Sequence, residues 1–531
     1  MSTKSTDKGA SEAPADEVDV AQAIGALPFR GFHYLQVLAV VVVFLGAGTT
    51  TASLSWIEDD VRSTFNLSPA QELPIVFISL SAVTLSLFTA GATSDQLGRR
   101  PVCLAGLWGL LAFQMSIGAA QSPAAVAICF GLRGLALHYG EDVAKGYLAE
   151  MLPAQGRGKV LNLMHAAWQL GGILFSFITL FTTAYAPLAV LSSLPVLLAL
   201  ALFLSFTIES PLWVDKNRGH TAGLRQLRRM YAKCNEPWPY DLPAPGSSGS
   251  LASEPADSSS APLLAKPGKE GRRCSDPPSY SFSGDGHGDG GTGWCCCNGS
   301  RSGGGGDGGS GGGSCPCGPR KVWACLQRAY GPLLGEHRKL TGLITLLYIS
   351  LQLGTWSNDT WLKRVLGESG REGLQTAASF VQYGCKFCGA IISGMLVERT
   401  GRKLLLIPCF ALVALGTALI GLSTSFSSAQ GDAGTRLFFG AMLIVYVPVE
   451  ILSSTLGTYT YEIFPTRVRI ASLGVARGTA GVLGTVYSSA GPLIMDSAGP
   501  SGLFYINASI LCCGCAACLL ITRDTTGTTL S

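Results

Sequence analysis

The chain has 531 residues, of which 47% are hydrophobic and 14% charged, with a formal net charge of +4. Soluble globular proteins carry about 25% charged residues, and here the apolar residues gather in runs of about 20, the length that crosses a bilayer as a helix. This excludes an ordinary soluble domain. The sequence also offers no nucleotide loop, metal-ligand set or nucleophile constellation, so neither an enzyme, a resident cofactor nor a nucleic-acid partner is expected.

In chain order, residues 1–32 read as a polar, acid-leaning cytoplasmic tail with a short helical end. Met1–Pro28 contains no apolar signal-peptide core, so no cleaved leader is expected. Six apolar spans follow at 33–55, 73–93, 102–120, 124–149, 159–183 and 187–208. A long polar stretch, 209–338, separates them from six more at 339–361, 374–397, 404–424, 436–460, 470–494 and 502–522. Residues 523–531 form a short tail. Of the 17 cysteines, Cys129, Cys385, Cys388, Cys512, Cys513, Cys515 and Cys518 lie in these spans, where a small soft side chain suits helix packing.

Within 209–338, Gly219–Lys233 reads as a basic amphipathic helix lying on the inner membrane surface. Residues 241–320 are rich in Gly, Ser and Pro and are expected to be disordered. They contain Cys295-Cys296-Cys297 and Cys315-x-Cys317, which fit palmitoylation or plain disorder. A metal site there lacks the standard paired spacing.

The most specific stretch joins the second and third spans: Gly91-Ala-Thr-Ser-Asp95-Gln-Leu-Gly98-Arg99-Arg100. A second copy, Gly394-Met-Leu-Val-Glu398-Arg-Thr-Gly401-Arg402-Lys403, joins the eighth and ninth. Each keeps the order glycine, acid, glycine, basic pair. Glycine permits close helix approach and a tight turn, and the basic pair stays in cytoplasmic water. Asp95 and Glu398 are 303 positions apart (398 − 95). Tyr147-Leu-Ala-Glu150-Met-Leu-Pro153 and Tyr459-Thr-Tyr-Glu462-Ile-Phe-Pro465 repeat at an offset of 312 (462 − 150). The chain is thus a duplication, six spans, a linker and six spans. Short inner loops hold Arg99, Arg100, Arg157, Lys159, Arg399, Arg402, Lys403, Arg467 and Arg469; short outer loops hold Arg62, Lys363, Arg364 and Arg371. This excess predicts both termini in the cytoplasm.

The paired hairpins resemble the loop signature of the major facilitator superfamily of transporters. Glu209-Ser-Pro-Leu-Trp213 is similar to a motif after the sixth span of its sugar and organic-ion members, and Asp524-Thr-Thr-Gly527 to their C-terminal motif. Glu17–Gly25 and Tyr459–Arg469 resemble segments of synaptic-vesicle-protein-related transporters. The resemblance implies an all-α membrane protein of the major facilitator fold, with twelve transmembrane helices in two pseudo-symmetric six-helix bundles. It departs in two places. Gly46–Trp56 lacks the acid expected in the first span, and the seventh span has only Gln352 where sugar porters carry paired glutamines.

Ionisable groups in membrane helices are costly and mark candidate sites. His138, Glu141, Asp142 and Lys145 of the fourth span fall within an arc of about 100°. The i,i+4 spacing pairs Glu141 with Lys145 and lets His138 reach Asp142. These four either face a central cavity or neutralise one another and fasten helices. Arg133, outside that arc, fits a packing ion pair or substrate contact. Glu450 occupies the 312-offset counterpart of His138 and can carry a proton; a buried Glu bonded to a neighbouring Arg or Lys is the other reading. His165 and Gln169 in the fifth span, Gln352 in the seventh, Gln382 and Lys386 in the eighth, and Arg477 in the eleventh complete the candidate substrate or proton set. Lys386 and Arg477 have no sequence-local acid, which leans toward an anionic or zwitterionic solute, with pairing to Glu450 as the rival. At the cytoplasmic face, Asp95, Arg99, Arg100, Glu150 and Arg157 in one half and Glu398, Arg402, Lys403, Glu462 and Arg469 in the other read as gate residues. The expected protein is a monomeric secondary transporter in a lipid bilayer, at the plasma membrane or an internal vesicle or vacuole membrane. It would move a small organic, ionisable solute by alternating access with protons as coupling ion. A sugar facilitator or symporter of the same fold, or a non-transporting ligand sensor, are the alternatives.

Overall fold

The computed structural model describes residues 19–153, 157–240, 335, 337–368, 372–396, 400–425, 431–464 and 469–521. Among them the regular structure is helical throughout. The first half comprises α1 (Val20–Ala26), α2 (Gly31–Ala52), α3 (Leu54–Phe65), α4 (Pro69–Leu97), α5 (Arg99–Ala119), α6 (Pro123–Met151), α7 (Arg157–Ile178) and α8 (Tyr185–Phe206), with two short helices after it, α9 (Pro211–Arg218) and α10 (His220–Cys234). The second half comprises α11 (Arg338–Glu368), α12 (Gln375–Leu396), α13 (Arg402–Thr424), α14 (Gly431–Ile463), α15 (Arg469–Ser489) and α16 (Gly491–Leu519). Each expected span is met by a helix, α2 and α3 together forming the first. The cysteines of the 241–320 segment lie outside the described residues.

The helix contacts obey the duplication. In the first half α4 packs on α6, α5 on α6, α2 on α7 and α8, and α5 on α8. The second half repeats each pairing, α12 on α14, α13 on α14, α11 on α15 and α16, and α13 on α16. The halves meet along two equivalent seams, α7 with α12 and α4 with α15. Swapping α4 for α12 and α7 for α15 turns one seam into the other. This is two six-helix bundles related by a pseudo-two-fold axis.

Eight helices are long and apolar enough to cross a membrane by composition: α2 with α3, α4, α5, α8, α11, α13, α14 and α16. The other four spans, α6, α7, α12 and α15, carry His138, Glu141, Asp142, Lys145, His165, Gln169, Lys386 and Arg477. They hold central places in the contact pattern, α7 with α12 and α15 with α4 forming the seams and α6 packing on both α4 and α5. Large apolar side chains such as Leu85, Trp108, Leu197 and Leu415 are exposed on the other helices, the surface a bilayer requires. The chain is a multi-pass integral membrane protein.

Three features differ from the sequence expectation. The first span runs past 55 as α3, and the seventh runs past 361 to Glu368. Arg62, Lys363 and Arg364, expected in loops, therefore stand on helical extensions. The last span begins early, at Gly491, and is broken at Gly499, whose φ is +75°, followed by Pro500. Finally, α10 does not bury its apolar face in the membrane. Leu224, Leu227, Met230, Tyr231 and Cys234 are buried within the protein, where α10 packs on α1, α9 and the start of α2. Tyr231 donates to the Ala23 carbonyl at 3.2 Å and Arg30 pairs with Glu236 at 2.6 Å, fastening α10 to the first half.

Without a hydrophobic drive between helices in lipid, small residues decide how closely they approach. At the α7–α12 seam, a Cβ on Gly172 would come within 2.1 Å of the Tyr383 ring. Phe177 meets Phe380 edge-on at 4.8 Å. Gly172→Ala must push these bundles apart, since the obstacle is the root of the ring rather than a mobile tip. The variant should lose about 1–3 kcal/mol of stability, read as a lowered thermal midpoint of the purified protein; an unchanged midpoint would mean the seam is loose.

Candidate functional site

The first hairpin is fixed by a carboxylate that the family-like motif supplied. Glu209, after α8, accepts from the backbone N–H groups of Arg99 at 3.1 Å and Arg100 at 3.2 Å, capping the N-terminus of α5 as the helix dipole favours. Gly98, with φ +112°, lies so close that a Cβ there would meet the Glu209 carboxylate at 2.7 Å. Arg99 pairs with Asp95 at 2.6 Å and with Glu150 of α6 at 3.0 Å. Arg100 donates to Thr207 Oγ1 at 3.1 Å and the Leu204 carbonyl at 3.0 Å. Arg157 donates to the Leu152 carbonyl at 2.6 Å rather than to a carboxylate. All these contacts stay inside the first half. In the second, Lys403 donates to the Ile521 carbonyl at 2.6 Å and Arg402 to the Thr400 carbonyl at 3.4 Å. Glu398 lies outside the described residues, as do the side chains of Glu462 and Arg469.

The substrate or proton candidates divide into two groups. Nearer the hairpins, His138 Nδ1 lies 3.2 Å from Glu141 and 2.9 Å from Asp142. The expected Glu141–Lys145 pair is replaced: Glu141 turns to His138, and Lys145 lies 3.4 Å from His165 Nε2. Arg477 of α15 acts electrostatically on Asp142, Lys145 and His165 across the bundle boundary. Asp142, His165 and Arg477 are exposed although they sit on inward-facing spans, so this end of the interface is open space.

The second group lies deeper. Gln169 of α7 donates to Glu450 of α14 at 2.6 Å, joining the halves. Lys386 of α12 is buried and donates to Asp359 of α11 at 2.6 Å. Gln382, one turn earlier on α12, donates to the other Asp359 oxygen at 2.9 Å. Lys386 also stands 5.2 Å from the Tyr446 ring centre and acts on Glu450. The lysine's partner is therefore Asp359 rather than the suggested Glu450. Gln352 packs beside Gly484 of α15, 3.0 Å from a Cβ built there, and stands apart from this network. Arg133 is fully buried and bonds neutral groups, Gln114 at 2.9 Å and Thr51 at 3.3 Å, so it fastens helices of the first half.

Sequence reasoning passed over a third group, at the end away from the hairpins. Arg364 of α11 pairs with Glu72 of α4 at 2.9 Å, the two side chains 5% and 2% exposed. Lys363 pairs with Asp59 of α3 at 3.0 Å and stands 4.4 Å from the Trp56 ring centre. Each bond crosses between bundles. Outside them opens a depression of about 630 Å³ bordered by Trp56, Asp59, Arg62, Lys363 and Gln375. Inside, the gap bounded by Trp56, Asp359, Leu362, Gln382 and Tyr383 has about 10 Å³ of free room, no more than a single water needs. That gap is too narrow for an organic solute to pass.

The chain matches the sequence model of the Major Facilitator Superfamily over residues 37–249 and that of "Sugar (and other) transporter" over 362–531. It is 25% identical to the gallate transporter of Pseudomonas putida over 162 residues, 30% of this chain and 36% of that one. It is 30% identical to organic cation/carnitine transporter 7 of Arabidopsis thaliana over 196 residues, 35% of this chain and 38% of that one. The chain thus spans little more than a third of the length of these curated relatives. Its fold is similar to the inward-open xylose transporter XylE from E. coli, with a TM-score of 0.63 at 15% identity, covering 94% of this chain and 98% of that one. Two bundles with matching internal contacts, a repeated basic hairpin and family matches in both halves lead to one conclusion: the chain belongs to the major facilitator superfamily.

Proposed function

We propose that this protein is a secondary transporter moving a small charged organic solute by alternating access, with protons as the coupling ion. The carrying observation is the Asp359–Lys386 pair with Gln382, beside the Gln169–Glu450 bond that joins the bundles. A buried ammonium needs an anion, and Asp359, with its side chain 28% exposed, is a partner a solute carboxylate can replace. Gln169, Gln382 and the aromatic faces of Tyr383 and Tyr446 are suited to hold the remainder of such a solute. Relatives named for gallate and for carnitine fit a carboxylate-bearing substrate; the likeness to a xylose transporter supports a neutral, hydroxyl-rich one.

In this reading the hairpin end is cytoplasmic, both termini with it, and the shut far end faces outward. The conformation is inward-facing. Arg364–Glu72 and Lys363–Asp59 hold the outer ends together. Asp95, Arg99, Glu150 and their counterparts in the second half close the inner ends when the bundles rock the other way. Glu450, bridging the halves through Gln169, carries the transported proton.

The deciding experiment is uptake into proteoliposomes of gallate, carnitine and xylose, chosen for anionic, zwitterionic and neutral character. Saturable uptake of gallate or carnitine, stimulated by an inward proton gradient, is expected; preference for xylose without pH dependence would select a sugar facilitator. Stabilisation by a solute without flux would select a sensor. Lys386→Met strands Asp359 and should cost about 3–5 kcal/mol, whereas Lys386→Met with Asp359→Leu should cost far less; both should cut gallate uptake more than about tenfold, losing the charge contact. Glu450→Gln keeps an acceptor for Gln169 and should fold normally while losing proton-driven accumulation. Unchanged pH-driven flux in that variant would remove Glu450 from the coupling role.

A further inference from the structure

Glu58 lies on α3 beside Asp59 and within electrostatic reach of Glu72 and Arg364, with the residue 5% exposed, and its Oε1 is buried without a hydrogen-bond partner. The charged groups around it are already engaged. From α4, Glu72 is held by Arg364 at 2.9 Å and approached by Arg62 at 3.8 Å. From α11, Arg364 serves Glu72 and Lys363 serves Asp59 at 3.0 Å. On α3 itself, Asp60 accepts from the Tyr185 N–H at 2.7 Å, at the start of α8. The remainder of α8, also packed on α3, contributes no ionisable side chain over Tyr185–Phe206 beyond Tyr185. The rest of the buried surroundings is apolar: Trp56, Ile57 and Val61 of α3 form one buried cluster with Phe175 of α7 and Leu188 of α8.

An ionised Glu58 would be a buried anion with an unsatisfied oxygen, beside two other carboxylates whose cations are committed elsewhere. Such an arrangement is costly. A carboxyl group removes the charge, and with it the repulsion from Glu72 and Asp59. We propose that Glu58 is a proton-binding site: it holds a proton while the far-end bundles are together and releases it when they part. Separation of α3 from α11 would admit water to Glu58 and free Arg364 to attract its anion, so both changes favour release. Proton occupancy at Glu58 and closure of the far end then favour one another by linkage. The consequence for coupling rests on the transport reading; the proton site does not.

Two measurements on the full-length protein separate the two. Infrared difference spectra between about pH 5 and pH 8 on the purified, lipid-reconstituted protein report the carbonyl stretch of neutral carboxyl groups. One such component should vanish in Glu58→Gln and return, shifted, in Glu58→Asp, which keeps a titrating group if the glutamine variant folds poorly. In proteoliposomes, gallate uptake by the parent should fall about tenfold as external pH rises across that range, one decade of protonation near a titration midpoint. Glu58→Gln should weaken this fall measurably, leaving the part that Glu450 carries, while still exchanging gallate at equal pH, more slowly. An infrared spectrum and pH profile unchanged by Glu58→Gln would overturn the assignment. A Glu58-dependent carbonyl component in a protein that moves none of the three solutes would uphold the proton site and defeat the transport reading instead.

Discussion

The ion pair between Arg364 and Glu72 is the constraint on which the conformation depends. Its two members come from opposite bundles, are almost wholly excluded from solvent, and meet at 2.9 Å. In low dielectric such a bond is strong once formed, and removing either partner leaves an uncompensated charge. Lys363 and Asp59 add a second bond beside it, and Lys363 closes over Trp56. Together they fix α3 and α4 against α11. At the hairpin end the ion pairs of Asp95, Arg99 and Glu150 remain within the first bundle. Among the described residues, the ion pairs that cross between bundles stand at the far end.

The polar spans make sense within that frame. A helix such as α6 could not sit in lipid with His138, Glu141, Asp142 and Lys145 on one face. It is tolerated because the duplication encloses it, and its counterpart α14 holds Glu450 in the same way. Lys386 is satisfied across the second bundle by Asp359, and Glu450 across the boundary by Gln169. Two of these bonds hold the resting arrangement and are also the ones a charged solute or a proton would exchange.

Much of this was legible in the residues. Runs of apolar sequence anticipated a helix at each of the twelve spans; for eight of them composition alone suffices, because hydrocarbon thickness sets a length that it reports directly. The repeated glycine–acid–glycine–basic hairpin revealed the duplication, and offsets between copies placed Glu450 opposite His138. What escaped notice was tertiary. Asp359 stands near the end of an apolar run, and Lys363 and Arg364 just beyond it, where a hydropathy boundary reads as loop. The helix instead continues to Glu368, because its last two turns are held by the other bundle and not by lipid. The Glu141–Lys145 pairing was reasonable by helical spacing, yet His138 is nearer to Glu141 and competes for it. Arg133 read equally as a packing charge or a substrate contact, and the position of Gln114 on a neighbouring helix selects the packing role.

The account is tested most directly by electron-spin distance measurements across both ends of the reconstituted protein. One ruler joins Ser63 on α3 to Gln375 on α12, which border the far-end depression; the other joins Gly146 on α6 to Gly474 on α15, both exposed toward the hairpin end. Neutralising the outer bonds with Glu72→Gln and Asp59→Asn should lengthen the first distance and shorten the second, as the bundles rock about the seams between them. Both distances staying fixed, or both lengthening together, would contradict it.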